Sequence, residues 1–360
     1  MSTVFKMDAI EIQGHRIAPD APPFIIAEMS GNHNQSLDRA LAIVDAAAQA
    51  GVQALKIQTY TADTMTLDIS EGAFFIEDPD SLWKGESLYS LYENAHTPWD
   101  WHAAIFERCR KQGMIGFSSP FDATAVDFLE KLDVPLYKIA SFELVDIPLI
   151  RKVAATGKPV IISTGMASEM EIEDAVQAAR EAGCQDLILL KCTSSYPADA
   201  SDSNLQTIPY LKARFGVHVG LSDHTLGTAV PVAATALGAE VIEKHFTLSR
   251  ADGGVDSAFS LEPHELKQLV ADTRMAHRAL GKAVLGASAN ESKSLVFRRS
   301  LYACQDIKPG EALSMQNIRA IRPGLGLPPK HLDSVLGCKA VTQIKRGTPL
   351  AWNLIENRKE

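Results

Sequence analysis

Charged and hydroxyl side chains stand near the ends of eight short apolar runs of this sequence. A polar or charged group in such a run is costly unless it is paired or used in chemistry. A single lysine or histidine in this position is most often structural, but here such groups recur on nearly every run. The joint pattern predicts a functional site built from Glu28, Lys56, Gln58, Ser119, Lys138, Ser141, Ser163, Ser194, Tyr196, Ser222, His224, Glu243 and His245.

Lysine and hydroxyl side chains are the lining expected for a phosphate or a carboxylate group. Lys56 and Lys138 supply the cationic part of such a pocket. Glu28 is the candidate for moving a proton, and a salt bridge from Glu28 to one of the lysines would not exclude that role. The hydroxyl part comes from Ser119, Ser141, Ser163, Ser194 and Ser222.

Two histidines follow neighbouring apolar runs, and each lies two residues after another polar group. His224 follows Ser222, and His245 follows Glu243. Because side chains two apart on a strand point the same way, both imidazoles can face one mouth. Two imidazoles with open positions suit an exchangeable Mn²⁺ or Mg²⁺, with Co²⁺ also acceptable, completed by water and substrate oxygens. A hydrogen-bonded histidine pair without metal explains the spacing equally well.

A Schiff base formed by a lysine is a rival use of the same residues. Lys138 or Lys191 is the candidate amine, as in class I aldolases. The histidine pair argues mildly against this chemistry, because a Schiff-base enzyme needs no metal.

The apolar runs themselves predict the scaffold, which belongs to the α/β class. Their length, β-branched content and Gly/Pro flanks are typical of buried parallel strands. Helical segments that end in glycine lie between most of them. Eight such units in about 250 residues predict a (β/α)8 TIM barrel, whose chemistry sits at the carboxyl ends of its strands. The predicted strands are 24–30, 54–60, 114–121, 136–141, 159–165, 187–197, 217–225 and 241–248.

Two further segments of the barrel region carry predictions. Residues 10–17, IEIQGHRI, alternate around Gln-Gly and indicate a hairpin that plugs the barrel floor. Residues 61–99 form an insertion too long for a plain connection between strand and helix, and we expect it to act as a functional lid.

The composition changes after the last barrel helix. Residues 281–294 are small and polar and predict a linker between a catalytic domain at 1–280 and a second domain at 295–360. The second domain is predicted to be β-rich, with turn residues and no long helix. Its IRPGLGL stretch places Arg322 on a Pro-Gly turn, which is either an ordinary surface turn or a rigid presentation of the arginine.

Composition limits the class of partner. The chain has 360 residues, 46% of them hydrophobic, and a formal net charge of −9, which disfavours nucleic acid and anionic membranes as partners. No secretory signal or membrane-spanning run is recognisable, so we expect a cytoplasmic protein. Its five cysteines form no CxxC pair and are expected to be reduced and mostly buried.

The ordered motifs resemble the sialic acid synthase family over nearly the whole chain. They read AEMSGNHNQ, LKIQTY, SSPFD, YKIAS, ISTGMAS, CTSSYP, GLSDHT, EKHFT, SLEP and RRSLYACQDIKPGE…IRPGLGL. The resemblance implies a TIM barrel joined to a C-terminal antifreeze-like (SAF) domain. It also implies condensation of phosphoenolpyruvate with an open-chain N-acetylated amino sugar, giving a nonulosonic acid and phosphate.

The resemblance also implies roles for individual residues. Glu28 is the acid/base group, and His224 and His245 ligate the divalent metal. Arg322 contacts the acyl group of the sugar bound by the partner subunit of a domain-swapped homodimer. Phosphoenolpyruvate is held by Lys56, Ser119, Lys138, Ser141, Ser163, Ser194 and Ser222, and the sugar and metal region is lined by Gln58, Tyr196, Glu243 and Asp256.

Several motifs depart from the pattern of N-acetylneuraminate synthases, including SSPF, CTSSYP and DGGVDSAFSLEP. These departures favour the branch that uses 2,4-diacetamido-2,4,6-trideoxy-L-altrose. N-acetylneuraminate or legionaminate synthesis is the alternative with the same chemistry. The 3-deoxy-heptulosonate and octulosonate phosphate synthases are more distant, as is a sugar-binding protein that has lost catalysis. Retention of Glu28, both lysines and both histidines argues against loss of catalysis.

Overall fold

Eight parallel strands close into a barrel in the computed structural model, which describes residues 8–79 and 81–356. The strand order around the barrel is β10-β3-β4-β5-β6-β7-β8-β9, so the TIM barrel expected from the sequence is confirmed. The strands of the described residues are β1 (Ile10–Ile12), β2 (His15–Ile17), β3 (Phe24–Glu28), β4 (Ala54–Thr59), β5 (Ile115–Pro120), β6 (Tyr137–Ile139), β7 (Val160–Ser163), β8 (Leu187–Cys192), β9 (His218–Asp223), β10 (Val241–His245), β11 (Ser300–Ala303) and β12 (Ile318–Ile321).

Helices follow most barrel strands and are begun and ended by local capping residues. Ser36 caps the first long helix by accepting a hydrogen bond from the Arg39 backbone amide, and Gly51 ends it at φ 87°. The helices of the described residues are α1 (Leu37–Ala50), α2 (Ala62–Met65), α3 (Leu88–Ala95), α4 (His102–Lys111), α5 (Ala123–Lys131), α6 (Ile147–Ala154), α7 (Glu169–Glu181), α8 (Thr207–Phe215), α9 (Ala229–Ala236), α10 (Pro263–Leu280) and α11 (Leu332–Val335). None of these helices is both long and apolar enough to span a bilayer.

Strand alternation divides the apolar residues of the barrel into two cores. One core lies between the strands and the surrounding helices, and the other fills the barrel interior. The interior core includes Phe24, Phe117 and Leu190, together with Ile10 and Ile17 of the N-terminal hairpin. That hairpin pairs β1 with β2 around Gln13 and Gly14, which both have positive φ. The hairpin therefore packs into the lower layer of the barrel, as the sequence predicts.

The described chain divides into two compact units, residues 1–281 and 282–360. The second unit has its own core, which includes Leu301, Ile318 and Leu350, and β11 pairs antiparallel with β12. Residues 281–299 are all exposed. A β-rich second unit without a long helix is what the sequence predicts, whereas its exact boundaries stay a prediction.

Candidate active site

Strand register brings the predicted polar residues to one level of the barrel. Glu28 on β3 lies opposite Lys56 on β4 and opposite His245 on β10, and Glu243 lies opposite Ser222 on β9. These residues share the alternation of the interior core residues, so their side chains face into the barrel. The carboxyl ends of the strands therefore gather the charged groups above the apolar interior.

Glu28 is completely buried and makes contacts through both carboxylate oxygens. Its Oε2 lies 2.9 Å from Lys56 Nζ, and its Oε1 accepts hydrogen bonds from the Ser30 amide and Gln58 Nε2, each at 3.1 Å. Burial raises the pKa of Glu28, although the Lys56 charge opposes this. Glu28 therefore keeps its proton to a higher pH than an exposed glutamate does.

Glu243 stands between the two interior lysines. Its Oε1 lies 3.5 Å from Lys56 Nζ and 3.6 Å from Lys138 Nζ, and it accepts a hydrogen bond of 3.1 Å from Ser222 Oγ. Burial acts to raise the pKa of Glu243, but the two ammonium groups outweigh it and lower that pKa. Its buried Oε2 has no hydrogen-bond partner among the described residues.

The two lysines differ in their electrostatic surroundings. Burial acts to lower the pKa of Lys56, but the Glu243 and Glu28 carboxylates overcome it and raise that pKa. For Lys138, burial prevails and the pKa falls. When Glu28 is protonated, two ammonium groups face the single charge of Glu243. The cluster then carries the positive surplus that an anionic ligand needs.

Serine hydroxyls surround this cluster and gather about a glycine. Gly165 follows β7, and its amide donates a hydrogen bond of 3.3 Å to Ser141 Oγ. A β-carbon at position 165 would lie 2.2 Å from Ser194 Oγ and 2.8 Å from Ser141 Oγ, so only glycine leaves room for both hydroxyls. The buried Ser163 hydroxyl has no partner among the described residues, and Ser119 accepts a 3.4 Å hydrogen bond from Lys56. Hydroxyl groups gathered in this way suit phosphate oxygens.

The two histidines lie side by side, with their ring centroids 5.3 Å apart. His224 Nδ1 is 2.9 Å from the Thr193 carbonyl oxygen. Because a carbonyl only accepts, His224 Nδ1 carries the proton and Nε2 keeps its lone pair. His245 Nδ1 is buried without a hydrogen-bond partner among the described residues and lies 3.8 Å from Asp256 Oδ2.

Burial also keeps His245 neutral by lowering its pKa well below the ordinary value. Imidazole nitrogens beside the Asp256 carboxylate fit a divalent cation by donor type. Residues 8–79 and 81–356 contain no group of three His, Cys, Asp or Glu side chains placed to hold a metal ion alone. Water or substrate would have to supply further ligands.

The sequence pattern predicts Ser194 and Tyr196 on a strand, and it leaves out one residue that faces the barrel interior, Cys192. Strand β8 ends at Cys192, so Ser194 and Tyr196 lie in the following loop, where Pro197 has no amide for a strand ladder. Cys192 shares the inward alternation of Ile188 and Leu190, and its Sγ lies 3.7 Å from Ser194 Oγ. The same alternation that identifies Lys56 and Glu243 would have found it.

The thiol of Cys192 has an unusual environment. Burial acts to raise the pKa of Cys192, but the neighbouring His224, Ser141 and Lys138 groups lower it to about 7. All five cysteines are free, and four of them are buried, which confirms the expectation of reduced thiols.

Lys191 points away from the barrel interior, unlike Lys138. Its Nζ donates to the Cys192 carbonyl at 3.0 Å and to Thr193 Oγ1 at 2.7 Å. It lines a separate open cavity of about 700 Å³ beside Tyr210. The structure thus removes Lys191 from the cluster that a Schiff-base mechanism would use.

The remaining predicted residues lie in different parts of the molecule. Asp256 is buried in the loop after β10 and accepts a hydrogen bond from Ser30 Oγ. The ring of Tyr196 is tilted against that of His224, with the ring centroids 4.5 Å apart. Both line a cavity of about 310 Å³ together with Gln58 and His245. Arg322 is exposed in the second unit, directly after β12.

Comparison with known proteins supplies the family. The NeuB family model matches residues 43–285, and the SAF domain model matches residues 298–356. Pseudaminic acid synthase of Campylobacter jejuni is 47% identical over 331 residues, which are 92% of this chain and 96% of that protein. Pseudaminic acid synthase of Helicobacter pylori is 45% identical over 336 residues, 93% of this chain and 98% of that protein.

A solved structure agrees with the fold. The N-acetylneuraminic acid (sialic acid) synthetase of Leptospira borgpetersenii superposes with a TM-score of 0.71 at 34% sequence identity. The match covers 80% of this chain and 95% of that chain. The fold, the motifs and the comparisons therefore all indicate a TIM barrel followed by an SAF domain.

Proposed function

Since this chain belongs to the NeuB family, we propose that it is an enzyme that makes pseudaminic acid. It condenses phosphoenolpyruvate with 2,4-diacetamido-2,4,6-trideoxy-L-altrose and releases inorganic phosphate. The observation that carries this proposal is the buried cluster of Glu28, Lys56, Lys138 and Glu243 surrounded by hydroxyl groups. A cationic pocket of this kind in a chain of net charge −9 suits a small anionic substrate.

Phosphoenolpyruvate binds in this cluster. Lys56 and Lys138 hold its phosphate and carboxylate groups, since two ammonium groups exceed the charge of Glu243 when Glu28 is protonated. The hydroxyl groups that complete the pocket are those of Ser119, Ser141, Ser163, Ser194 and Ser222.

The sugar binds beside the histidine pair. Gln58, Tyr196 and Asp256 line its cavity, and Glu243 lies at the border with phosphoenolpyruvate. His224 and His245 would hold a divalent cation, Mn²⁺, Mg²⁺ or Co²⁺, which when bound supplies Lewis-acid polarisation of the sugar aldehyde.

Carbon–carbon bond formation requires a proton at the sugar oxygen. C3 of phosphoenolpyruvate attacks the aldehyde carbon of the sugar, and the aldehyde oxygen becomes a hydroxyl as it takes a proton from Glu28. Water then adds to C2 and gives its proton back to the Glu28 carboxylate. The bond between C2 and the phosphate oxygen then breaks, the C2 hydroxyl gives its proton to the departing phosphate as the C2 carbonyl forms, and the products are the keto acid and inorganic phosphate.

The quaternary arrangement is part of the proposal. The chain works in the cytoplasm as a domain-swapped homodimer, in which Arg322 of one subunit contacts the acyl group of the sugar held by the other. The exposure of Arg322 and the SAF domain match support this arrangement. Strand β12 ends directly before the arginine and Pro323 restricts the backbone directly after it, so less motion is lost on binding.

Phosphate release tests the reaction and the sugar together. The purified chain is incubated with phosphoenolpyruvate and Mn²⁺ and, in parallel, with the trideoxy-L-altrose, its legionaminic-series D-manno counterpart or N-acetylmannosamine. We expect fast turnover with the altrose and much slower turnover with the other two sugars. Turnover mainly with N-acetylmannosamine would favour the N-acetylneuraminate alternative. The similarity to the Leptospira synthetase is an observation on the side of that alternative. If none of the three sugars leads to phosphate release, the alternative of a sugar-binding protein without catalysis remains.

A further inference from the structure

The apolar face of helix α3 is directed at the cavity that holds the predicted sugar-binding residues. Leu88, Leu91, Tyr92 and Ala95 are spaced i, i+3, i+4 and i+7, which places them on one side of the helix. All four line the 310 Å³ cavity, and the first three are only half-buried. An apolar helix stripe normally packs against another element, so its position here leaves apolar surface that a ligand can cover.

Other residues of the insertion extend this apolar surface. Met65 of α2 and Ile76 of the following loop line the same cavity, and so does Phe121 after β5. The ring of Tyr60 contacts those of Tyr92 and Phe121 in edge-to-face geometry, at 5.8 and 5.2 Å between centroids. We call Met65, Ile76, Leu88, Leu91, Tyr92 and Phe121 the apolar wall.

The same cavity also contains the polar groups of the site. Gln58 donates a hydrogen bond to Glu28, and His245 and Asp256 belong to the candidate metal region. A ligand that fills the cavity therefore meets reactive groups on one side and the apolar wall on another. The volume of about 310 Å³ is at the lower end of the range for small-molecule pockets and suits a single sugar.

The insertion holds the apolar wall in a fixed position. Trp83 Nε1 donates a 3.1 Å hydrogen bond to the Val255 carbonyl, and Gln35 Nε2 donates to the Asn94 and His96 carbonyls at 2.9 and 2.8 Å. Gly31 lies against Ala95, where a β-carbon would come within 3.2 Å of the backbone. These contacts tie α3 to the first strand-to-helix loop of the barrel and the segment before α3 to the last such loop.

We propose that the apolar wall binds the deoxygenated end of the sugar and so selects a 4-acetamido-6-deoxy sugar over a sugar that carries hydroxyls at those carbons. This inference rests on the proposed function and adds the element that decides the substrate. The aldehyde end of the sugar must lie near His245, so the C6 methyl group and the C4 acetamido methyl group point towards the wall. A hydroxyl placed against the wall would lose its water without gaining a hydrogen bond.

Glu143 offers the acetamido group a polar partner beside the wall. It lines the same cavity, and its buried Oε2 has no hydrogen-bond partner among the described residues. An acetamide N–H that reaches this oxygen would satisfy it. Burial raises the pKa of Glu143 to about 7, so covering this oxygen with the ligand costs less than covering a fully ionised carboxylate.

The test replaces leucines of the wall by asparagine, which has nearly the same size and a polar end. Leu91→Asn and Leu88→Asn are compared with Leu67→Asn, whose leucine lies in the same insertion but is exposed and does not line the cavity. Calorimetry gives the Kd for the trideoxy-L-altrose. Phosphate release gives kcat/KM for that sugar and for N-acetylmannosamine, and thermal unfolding reports whether each variant is folded.

We expect each wall variant to weaken binding of the trideoxy-L-altrose about 10-fold or more, and to lower its kcat/KM relative to N-acetylmannosamine by a similar factor. The KM for phosphoenolpyruvate should stay unchanged in the wall variants. The Leu67→Asn variant should keep the wild-type Kd and kcat/KM. Folded wall variants with an unaltered Kd and unaltered sugar ratio would overturn the inference while leaving the proposed reaction intact. A wild-type chain that binds the altrose without turnover would overturn the reaction alone, and one that does not bind it would overturn both.

Discussion

At the scale of single residues, the site is defined by charges that the barrel interior forces together. Glu28, Lys56, Lys138 and Glu243 are each at least 96% buried, and each has a charged atom within about 3–4 Å of an oppositely charged group of the cluster. Burial disfavours the charged form of each of these four groups. The charges of the neighbouring groups decide which of the four stay ionised. Protonation of Glu28 is the outcome that gives the cluster both a proton to donate and a net positive charge.

Glu28→Gln removes the proton transfer while keeping the size of the side chain. We expect kcat to fall by a factor of about 10² to 10⁴, the usual contribution of a general acid or base, with a smaller change in the KM for phosphoenolpyruvate. Steady-state phosphate release measures both. Glu240→Gln is the matched control, because Glu240 is also buried but is paired with His218 at the start of the barrel strands. Equal losses in the two variants would contradict a specific role for Glu28.

At the scale of elements, the alternation of each strand separates chemistry from structure. Lys244 lies between the inward-facing Glu243 and His245 and points outward, where its Nζ is 2.5 Å from Asp223 Oδ2. Asp223 also accepts hydrogen bonds from the amide and hydroxyl of Thr225. This buried pair joins β10 to β9 on the helix side of the barrel, while the neighbouring residues of the same strands form the site.

Lys244→Met should lower the free energy of unfolding by about 3–5 kcal/mol, because it leaves the buried Asp223 carboxylate without its cation. Urea denaturation measures the change. Lys152→Met serves as the comparison, since the Lys152–Asp127 pair is largely exposed, and its loss should cost at most about 1 kcal/mol. Adding Asp223→Leu to Lys244→Met should restore much of the stability. Similar losses for the buried and the exposed pair would count against this account.

At the scale of the whole molecule, the described chain is a barrel unit and an SAF unit, and the stability of the barrel unit depends on groups distant from the cluster. His33 and His102 are buried histidines beside the insertion. His102 Nε2 lies 2.8 Å from Thr59 Oγ1 on β4, and His33 Nε2 lies 3.3 Å from Thr97 Oγ1. Burial lowers the pKa of each histidine to about 4.

Acid should therefore destabilise the barrel unit once the pH falls below the ordinary histidine pKa of about 6.5. The folded-state pKa of both histidines lies below the unfolded value of about 6.5, so their contribution is complete above that pH. It is lost as the pH falls towards 4, by about 1.4 kcal/mol per pH unit for each histidine. Urea denaturation at several pH values between 7 and 5 measures the slope. His102→Gln keeps a hydrogen-bonding side chain and should make the slope shallower; an unchanged slope would contradict the assignment.

Arg322 tests whether the two units act across subunits. Arg322→Ala should raise the KM for the sugar and leave the KM for phosphoenolpyruvate nearly unchanged. Mixing it with Glu28→Gln under conditions of subunit exchange should restore roughly a quarter of wild-type activity, because half of the dimers are hybrids and each hybrid has one intact site. No recovery in exchanged hybrids would show that Arg322 does not act on the partner's barrel.

The sequence alone determined the barrel, the second unit and most of the inward-facing polar residues. Buried parallel strands require continuous apolar runs, so a charge within such a run is visible without a structure. Period-two alternation then gives the direction of Lys56, Glu243 and His245. The turn chemistry of Gln13 and Gly14 likewise identifies the N-terminal hairpin.

Tertiary structure alone decided which of these groups meet and what surrounds them. Register across separate strands brought Glu28 opposite Lys56, and no local pattern encodes that pairing. Burial and neighbouring charges set the protonation of Glu28, and both arise from residues far apart in the chain. The apolar stripe of α3 is equally visible in the sequence, but only the fold shows that it faces a cavity beside His245 and not a packed core.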